Sequence, residues 1–255
     1  MEQTKIILCG ACGKMGGNVL SLLENDPEAT AVCGVDLFPK EIGMSVFKSF
    51  SGIKEPADVI IDFSSPIGLA ERLDYAKTHG LGIVLASTGF SKEDLELIGE
   101  YSKSIAVFKT ANLSLGVNLM QALCKAAAQV LGTGFDIEII ERHHNLKKDA
   151  PSGTALMLAD SINEVFEGKK RYVGGREGIV GAREQDEIGI HAVRGGTIVG
   201  EHEVMFAGED EVITITHSAN SKRVFAAGAI RAAKFLKGKQ AGMYEMKDLL
   251  AEENA

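Results

Sequence analysis

The pattern of hydrophobic and polar positions changes character part-way along the chain. In the N-terminal part, short continuously apolar runs alternate with longer amphipathic stretches. Such runs are typical of strands buried on both faces, and apolar positions repeating every three or four residues are typical of helices. The alternation predicts a parallel, doubly wound sheet with helices on both faces. The predicted strands cover residues 5–9, 31–36, 58–63, 82–86 and 105–108, and the predicted helices cover 16–24, 67–79 and 91–102.

Beyond residue 113 the pattern indicates a second domain of a different type. A long apolar helix comes first, followed by a strand and a helix, and then strand-like runs follow one another directly. Consecutive strands favour an antiparallel or mixed sheet, so we predict an α+β domain over residues 114–223. The predicted helices cover residues 116–131, 152–166 and 224–236, and the predicted strands cover 136–141, 188–194, 196–206 and 211–218.

Composition narrows the classes of function. The 255 residues are 45% hydrophobic and 24% charged, which is globular composition, and the net charge of −8 argues against a nucleic-acid-binding surface. No apolar run approaches the roughly 20 residues of a membrane span, and no signal peptide is visible. The four cysteines include a single C-x-x-C at Cys9 and Cys12, which fits a strand end and a loop better than a zinc or redox site. We therefore expect a cytoplasmic protein with free thiols and no nucleic-acid or membrane partner.

A glycine-rich loop follows the first predicted strand and precedes the first predicted helix. Glycines at such a junction allow a tight turn and let backbone N–H groups approach a pyrophosphate near the helix N-terminus. The spacing is G-x-x-G-x-x-G, and Asp36 ends the second strand, where an acid accepts a hydrogen bond from ribose. A dinucleotide site is therefore favoured over a plain glycine turn. The predicted cofactor contacts in the loop are Gly10, Ala11, Cys12, Gly13, Lys14, Met15 and Gly16.

The residue after Asp36 bears on the choice of cofactor. A carboxylate repels a 2′-phosphate, and the next residue is Leu37 and not an arginine, so NADH is favoured. Lys14 and Lys40 are nearby cations that leave NADPH open. Two further loops follow the fourth and fifth strands, where a ligand of a parallel sheet is expected, although plain loops are an equal alternative. Their predicted cofactor contacts are Ala86, Ser87, Thr88, Thr110, Ala111, Asn112 and Leu113.

Residues 141–155 hold the densest group of chemically active side chains. His143 and His144 are adjacent, Lys147 and Lys148 follow, and Ser152 precedes a predicted helix that opens with Gly153 and Thr154. A helix N-terminus stabilises an anion by about 1 kcal/mol, and a histidine is a ready general acid. An ordinary capped helix with structural histidines is the alternative. The density of cations and proton carriers favours a site that binds an anion and transfers a proton to it.

Two other kinds of site are disfavoured. Several histidines and glutamates offer metal ligands, but none has a recognised ligand spacing, so we predict no metal. Cys124 lies mid-helix among apolar neighbours, which disfavours a cysteine nucleophile.

Taken together, the motifs resemble those of the dihydrodipicolinate reductase family, and the resemblance runs essentially end to end. The segment E-x-H-H-x-x-K-x-D-A-P-S-G-T-A is the most specific, whereas the glycine loop alone is not. The matching segments are residues 10–16, 87–90, 111–118, 141–155, 176–178 and 194–202.

The resemblance implies an NAD(P)H-dependent reductase of lysine and diaminopimelate synthesis. Its substrate, 4-hydroxy-tetrahydrodipicolinate, is a cyclic dicarboxylate that carries an imine, and hydride reaches C4 after water is lost. The resemblance gives His143 the role of acid/base group and Lys147 that of proton donor. It also implies a homotetramer and a first domain, residues 1–113, that is completed by residues 224–255. The expected substrate contacts are His144, Ser152, Gly153, Thr154 and Lys222.

Two residues depart from the family pattern. In the family, a basic residue lies near the substrate carboxylate, and Lys222, with Arg223 beside it, occupies that position here. A lysine offers a point charge and cannot form a bidentate contact with the carboxylate. Leu113 stands where an aromatic residue is common. Two other functions stay open: a dinucleotide-binding sensor without turnover, and reduction of a different imine or keto dicarboxylate.

Overall fold

The structure, a computed structural model, describes residues 3–253. The chain forms two compact units: one contains the chain up to Ser114 together with the segment from Lys222 onward, and the other is Leu115–Ser221. Residues 1, 2, 254 and 255 of the predicted domain limits lie outside the described residues. No helix within the described part of the chain is long and apolar enough to cross a bilayer.

The first unit is built on a parallel sheet of seven strands, which confirms the predicted doubly wound architecture. The strands are β1 (Thr4–Cys9), β2 (Ala29–Val35), β3 (Val46–Phe47), β4 (Val59–Asp62), β5 (Gly82–Leu85), β6 (Ala106–Lys109) and β12 (Gly242–Tyr244). The strand order is β3-β2-β1-β4-β5-β6, and the C-terminal segment adds β12 beyond β6. The helices are α1 (Lys14–Leu23), α2 (Leu69–His79), α3 (Lys92–Ser102), α6 (Arg223–Leu236) and α7 (Met246–Glu253).

Alternate residues of the central strands point into two separate cores. Ile6 and Leu8 pack in a cluster that includes residues of α1 and α6, whereas Ile7 packs in one that includes residues of α2 and α3. Burial on both faces explains the unbroken apolar runs in the sequence. The strands β3 and β12 were not predicted, because two or three residues are too few to show a period.

Helix α1 begins earlier than predicted. It starts at Lys14, with Gly13 as its N-cap, and not at Gly16. Helix α3 begins where the serine signal placed it, and Ser91 and Asp94 form a reciprocal capping box.

The second unit contains a five-stranded sheet. Its strands are β7 (Asp136–His143), β8 (Arg171–Gly174), β9 (Glu187–Arg194), β10 (Gly200–Ala207) and β11 (Val212–Ala219), and its helices are α4 (Leu115–Leu131) and α5 (Gly153–Val165). The strand order is β11-β10-β7-β9-β8. The strand β7 runs parallel to β9 and antiparallel to β10, so the sheet is mixed, as predicted. The strand β8 was not predicted, because it is mostly exposed.

The two faces of β7 have opposite characters. Ile137 and Ile139 are buried in a core with residues of α4 and α5. On the other face, Glu138 accepts hydrogen bonds from an arginine pair and lies 2.7 Å from His191 Nε2. Glu138 lies over Gly189 of the neighbouring strand, where a Cβ would come within 1.8 Å of its carboxylate. The arginines are Arg176 and Arg183.

Glu138→Gln should remove part of the acid sensitivity of folding. Burial raises the pKa of Glu138, but hydrogen bonds from Arg176, His191 and Arg183 outweigh burial and lower it from 4.5 to about 2. Because the pKa is lower in the folded state, the carboxylate stabilises the fold above pH 4.5, and this stabilisation is lost toward about pH 2. The difference in melting temperature between wild type and variant should shrink as pH falls through that window. A constant difference would contradict the assignment, and Glu164→Gln serves as the control.

Candidate active site

The glycine loop of the first unit closes tightly between β1 and α1. Gly10 has φ +74°, and a Cβ there would lie 2.9 Å from the backbone of Phe63. At Gly16 a Cβ would lie 2.4 Å from the carbonyl oxygen of Gly10. A side chain at either position would force the loop open, so both glycines are required by close backbone approach.

Asp36 ties the end of β2 to this loop. One carboxylate oxygen accepts the N–H of Cys12 at 3.0 Å, and the other accepts the N–H of Phe38 at 3.0 Å. A cavity of about 460 Å³ lies beside Asp36 and is lined also by Gly10 and Leu37. Its size is within the range of small-molecule sites, and its position at the carboxyl ends of the strands is the one expected for a ligand of a parallel sheet.

The segment after β4 forms another wall of the cavity, and the sequence motifs did not indicate it. Arg72 of α2 is buried and donates hydrogen bonds to the carbonyl oxygens of Ser65 and Ile67. Its Nε lies 2.8 Å from the fully buried carboxylate of Asp62, the last residue of β4. This ion pair fixes the loop that lines the cavity. In the sequence, the position of Asp62 near the end of a predicted strand could have pointed to this wall of the cavity.

The loops after β5 and β6 lie at the same edge of the sheet. The hydroxyl of Ser87 is buried and has no hydrogen-bond partner among the described residues. Thr110 donates to the carbonyl oxygen of Asn112 at 3.2 Å, and Asn112 in turn accepts the N–H of Ser114 at 2.8 Å. Leu113 is buried in the core, so its side chain supports the loop from behind. Ala86 is half-buried, whereas Thr88 and Ala111 are exposed.

In the second unit, a buried carboxylate organises the residues near the end of β7. Glu141 accepts the Nδ1 hydrogen of His143 at 2.6 Å and the backbone N–H of Ser152 at 2.9 Å. Both guanidinium NH2 groups of Arg194 donate to it, at 2.7 Å and 2.8 Å. The strand and the start of α5 are therefore held together at one point.

Ser152 is the N-cap of α5, as predicted. Its hydroxyl accepts the N–H of Ala155 at 3.2 Å and lies 3.0 Å from Nε2 of His202. The hydroxyl is buried, so it stabilises the start of the helix, while Gly153 beside it is exposed. The side chain of Ser152 therefore caps the helix, and its contact with the substrate stays a prediction.

His202 is buried beside the imidazole of His143. The two rings meet edge to face, with centroids 5.2 Å apart. Burial lowers the pKa of His202 to about 4, so this ring is neutral at pH 7. His202 therefore packs and forms a hydrogen bond as a neutral ring, whereas His143 is held by the carboxylate of Glu141.

The segment after β7 carries the other predicted residues. Lys147 Nζ lies 2.9 Å from Asp149, and the hydrogen bond from Lys147 lowers the pKa of Asp149. The backbone carbonyl of Asp149 accepts a hydrogen bond from Arg194 at 2.7 Å, which connects this segment to Glu141. His144 is half-buried, and its Nδ1 has no partner within the described part of the chain. Lys222 belongs to the first unit and not to the predicted second domain.

Cys124 is buried and poorly placed to act as a nucleophile. Burial raises the pKa of its thiol to about 12, which leaves it protonated at pH 7. All four cysteines are free thiols. Within residues 3–253, no group of three or more histidines, cysteines and carboxylates is arranged to hold a metal ion.

Neither Glu141 nor Arg194 was predicted as a site residue, although both lie in segments that match the family. The usable signal for Glu141 was its spacing: residues two apart on a strand share a face, so Glu141 lies beside His143. Arg194 pairs with His143 in the register of β7 and β9, which only the assembled sheet reveals.

Both units of the chain match one family of known proteins. Residues 4–113 match the family profile "Dihydrodipicolinate reductase, N-terminus", and residues 116–250 match "Dihydrodipicolinate reductase, C-terminus". The chain belongs to the dihydrodipicolinate reductase family. This confirms the resemblance drawn from the sequence motifs and identifies the chain as an oxidoreductase.

Individual members of the dihydrodipicolinate reductase family are similar over nearly the full length. A 4-hydroxy-tetrahydrodipicolinate reductase of Caldanaerobacter subterraneus subsp. tengcongensis is 51% identical, covering 96% of this chain and 98% of the relative. One of Clostridium novyi is 45% identical, covering 99% of this chain and 100% of the relative. The solved structure of a dipicolinate-bound dihydrodipicolinate reductase from Paenisporosarcina sp. TG-14 superposes with a TM-score of 0.76 at 26% identity, covering 95% of this chain and 97% of that one.

Proposed function

We propose that this protein reduces 4-hydroxy-tetrahydrodipicolinate to tetrahydrodipicolinate with NAD(P)H, in lysine and diaminopimelate synthesis. The observation that carries the proposal is the group held by Glu141: the imidazole of His143, the start of α5 and, through Arg194, the segment of Lys147. Proton carriers and cations beside a helix N-terminus suit an anionic substrate. Relatives bear the name of this reaction, and one was solved with dipicolinate.

The first unit fits a dinucleotide. The close-packed glycines, the cavity beside Asp36 and the unpartnered Ser87 hydroxyl are the features that support this. When bound, the nicotinamide cofactor supplies the hydride. We assign residues 10–16 to the pyrophosphate, Asp36 to the ribose, and residues 86–88 and 110–113 to the nicotinamide side.

In the second unit, an acid and a cation stabilise the negative charge that hydride addition creates in the substrate. His143 exchanges a proton through Nε2, because its Nδ1 is engaged by Glu141. Lys147 donates a proton, and Asp149 holds its ammonium group in place. We assign the carboxylate of the substrate to Gly153 and Thr154, with His144 as a further contact. An acid and a cation close to developing negative charge lower the barrier.

We also propose a cytoplasmic homotetramer whose partner is a small cyclic dicarboxylate. Support comes from membership of the dihydrodipicolinate reductase family and, for the substrate, from the relative that was solved with dipicolinate. We expect no nucleic-acid or membrane partner.

NADH should be the preferred cofactor, and Asp36→Asn should weaken that preference. Removing the negative charge lessens repulsion of a 2′-phosphate, while the amide oxygen still accepts one of the two backbone hydrogen bonds. We expect the ratio of kcat/KM for NADH over NADPH to fall about tenfold, which corresponds to about 1.4 kcal/mol. The control is Glu24→Gln, an exposed acid elsewhere on the unit. An unchanged ratio in Asp36→Asn would count against the assignment.

One assay tests the proposed function. NADH oxidation is followed spectrophotometrically with the product of freshly condensed pyruvate and aspartate semialdehyde as substrate. We expect turnover and competitive inhibition by pyridine-2,6-dicarboxylate. Cofactor binding without turnover would favour a sensor, and turnover of another imine or keto dicarboxylate without this inhibition would favour a different substrate.

A further inference from the structure

Glu141 is the most completely engaged carboxylate near the end of β7, and the reaction described above gives it no role. Its side chain has no solvent exposure, and both of its oxygens are hydrogen-bonded. A buried carboxylate is costly unless it is paired and hydrogen-bonded. An alanine, valine or leucine at this position would pack without that requirement, so the charge calls for an explanation.

The electrostatics keep this carboxylate ionised. Burial by itself raises the pKa of Glu141, but hydrogen bonds from Arg194, His143 and Ser152 outweigh burial and lower it below its ordinary value. An ionised carboxylate only accepts hydrogen bonds. The atom that faces it on His143, Nδ1, therefore carries the hydrogen, and Nε2 is the nitrogen that exchanges a proton.

The surroundings fix the His143 ring as well as its tautomer. His202 meets the ring edge to face at 5.2 Å. On β10, a Cβ at Gly200 would lie 3.1 Å from Nε2 of His143, so the glycine leaves room for the ring and a larger residue would press against it. The imidazole is thus confined on its flanks and anchored at Nδ1.

We propose that Glu141, fixed by Arg194, is the positioning residue for His143: it holds the Nδ1–H tautomer and presents Nε2 for proton exchange. The proposal rests on the proposed function, because it assigns a role within that reaction. The same carboxylate accepts the N–H of Ser152, and Arg194 also binds the carbonyl oxygen of Asp149. The carboxylate of Glu141 therefore holds the acid/base group in a fixed position relative to the start of α5 and to the segment that follows Lys147.

The competing explanation is that Glu141 and Arg194 only stabilise the fold. The chain offers a matched comparison on the same strand. Glu138, on the opposite face of β7, is paired with Arg176 and lies 2.7 Å from a histidine nitrogen, that of His191. If both pairs are purely structural, removing either pair should have a similar effect on turnover. If Glu141 positions His143, only removal of the Glu141–Arg194 pair should lower turnover.

The test uses double variants, because removing one partner leaves a buried unpaired charge that threatens folding. Glu141→Met with Arg194→Met removes both charges together. We expect kcat to fall on the order of 100-fold, as losses of orienting contacts to catalytic side chains do, while the Kd for NADH is unchanged. Glu138→Met with Arg176→Met should change melting temperature but leave kcat near wild type. Equal kcat values in the two double variants would overturn the proposal.

A second measurement gives its main result on the wild-type protein, so it does not require that a variant folds. The ¹⁵N chemical shifts of histidine-labelled wild-type protein report which ring nitrogen of His143 carries the hydrogen, with His143→Asn used to assign the signal. We expect the Nδ1–H form or, when protonated, a hydrogen-bonded Nδ1–H. A neutral Nε2–H form would refute the proposal. If wild type shows the expected form yet has no turnover with the tested substrate, the proposed function fails and the positioning geometry stands.

Discussion

His143→Ala should lower kcat by about 10²- to 10⁴-fold, the range for losing a positioned general acid or base. NADH should still bind, because the residues assigned to the cofactor lie in the other unit of the chain. The ring of His143 is held at Nδ1 by Glu141, so alanine removes both the proton carrier and a donor to a buried carboxylate. Steady-state kinetics with the condensed substrate, together with fluorescence titration of NADH, measures the two quantities separately.

His143→Asn separates chemistry from packing. The asparagine amide can reproduce the donor at Nδ1 but has no atom that exchanges a proton at Nε2. We expect its kcat to be as low as that of the alanine variant, with a melting temperature closer to wild type. Near-normal turnover in the asparagine variant would exclude His143 as the acid/base group.

Lys147→Ala belongs to the same prediction and should also reduce kcat strongly. Lys147 is largely buried for a lysine and paired with Asp149, so its ammonium group is held in one place. Lys125→Ala is the matched control, since Lys125 makes a 2.6 Å ion pair with Glu164 in the same unit but outside the proposed site. Similar losses of turnover in the two lysine variants would indicate a general effect on the unit.

Gly228→Ala should cause the largest loss of stability. Gly228 is buried in α6, and a Cβ there would lie 1.8 Å from the carbonyl oxygen of Leu113 and 2.8 Å from its carbon. Backbone atoms cannot rotate away as side-chain ends can, so helix and loop must separate. Overpacking of this kind costs about 3 kcal/mol or more, which for a chain of this size lowers the melting temperature by about 6–12 °C.

The same substitution should weaken NADH binding, because Leu113 ends the loop assigned to the nicotinamide side. Thermal unfolding and NADH titration measure the two effects. Gly99→Ala provides the control: Gly99 lies inside α3 with nothing within 4 Å of the added Cβ. Alanine there should stabilise the helix by up to about 1 kcal/mol. A Gly228→Ala variant as stable as wild type would mean that α6 and Leu113 are farther apart than the structure places them.

Local pattern predicted the elements that are long or doubly buried. The central strands of the first unit are apolar without interruption because both faces are covered, and Ser91 and Ser152 marked helix starts through their hydroxyl acceptors. Local pattern failed at short or exposed elements such as Arg171–Gly174. For Ser152 it predicted the helix cap, which the structure confirms, while its contact with the substrate stays a prediction.

The sequence by itself determined the change from a parallel to a mixed sheet, the glycine loop with Asp36, and the family, since each depends on residue types at fixed local spacings. Only the tertiary structure decided that Arg194 would neutralise Glu141, that Arg72 would hold the loop after β4, and that α6 would approach Leu113 closely enough to require glycine at position 228. These contacts join residues far apart in the chain. They depend on strand register and helix packing, which no local pattern encodes.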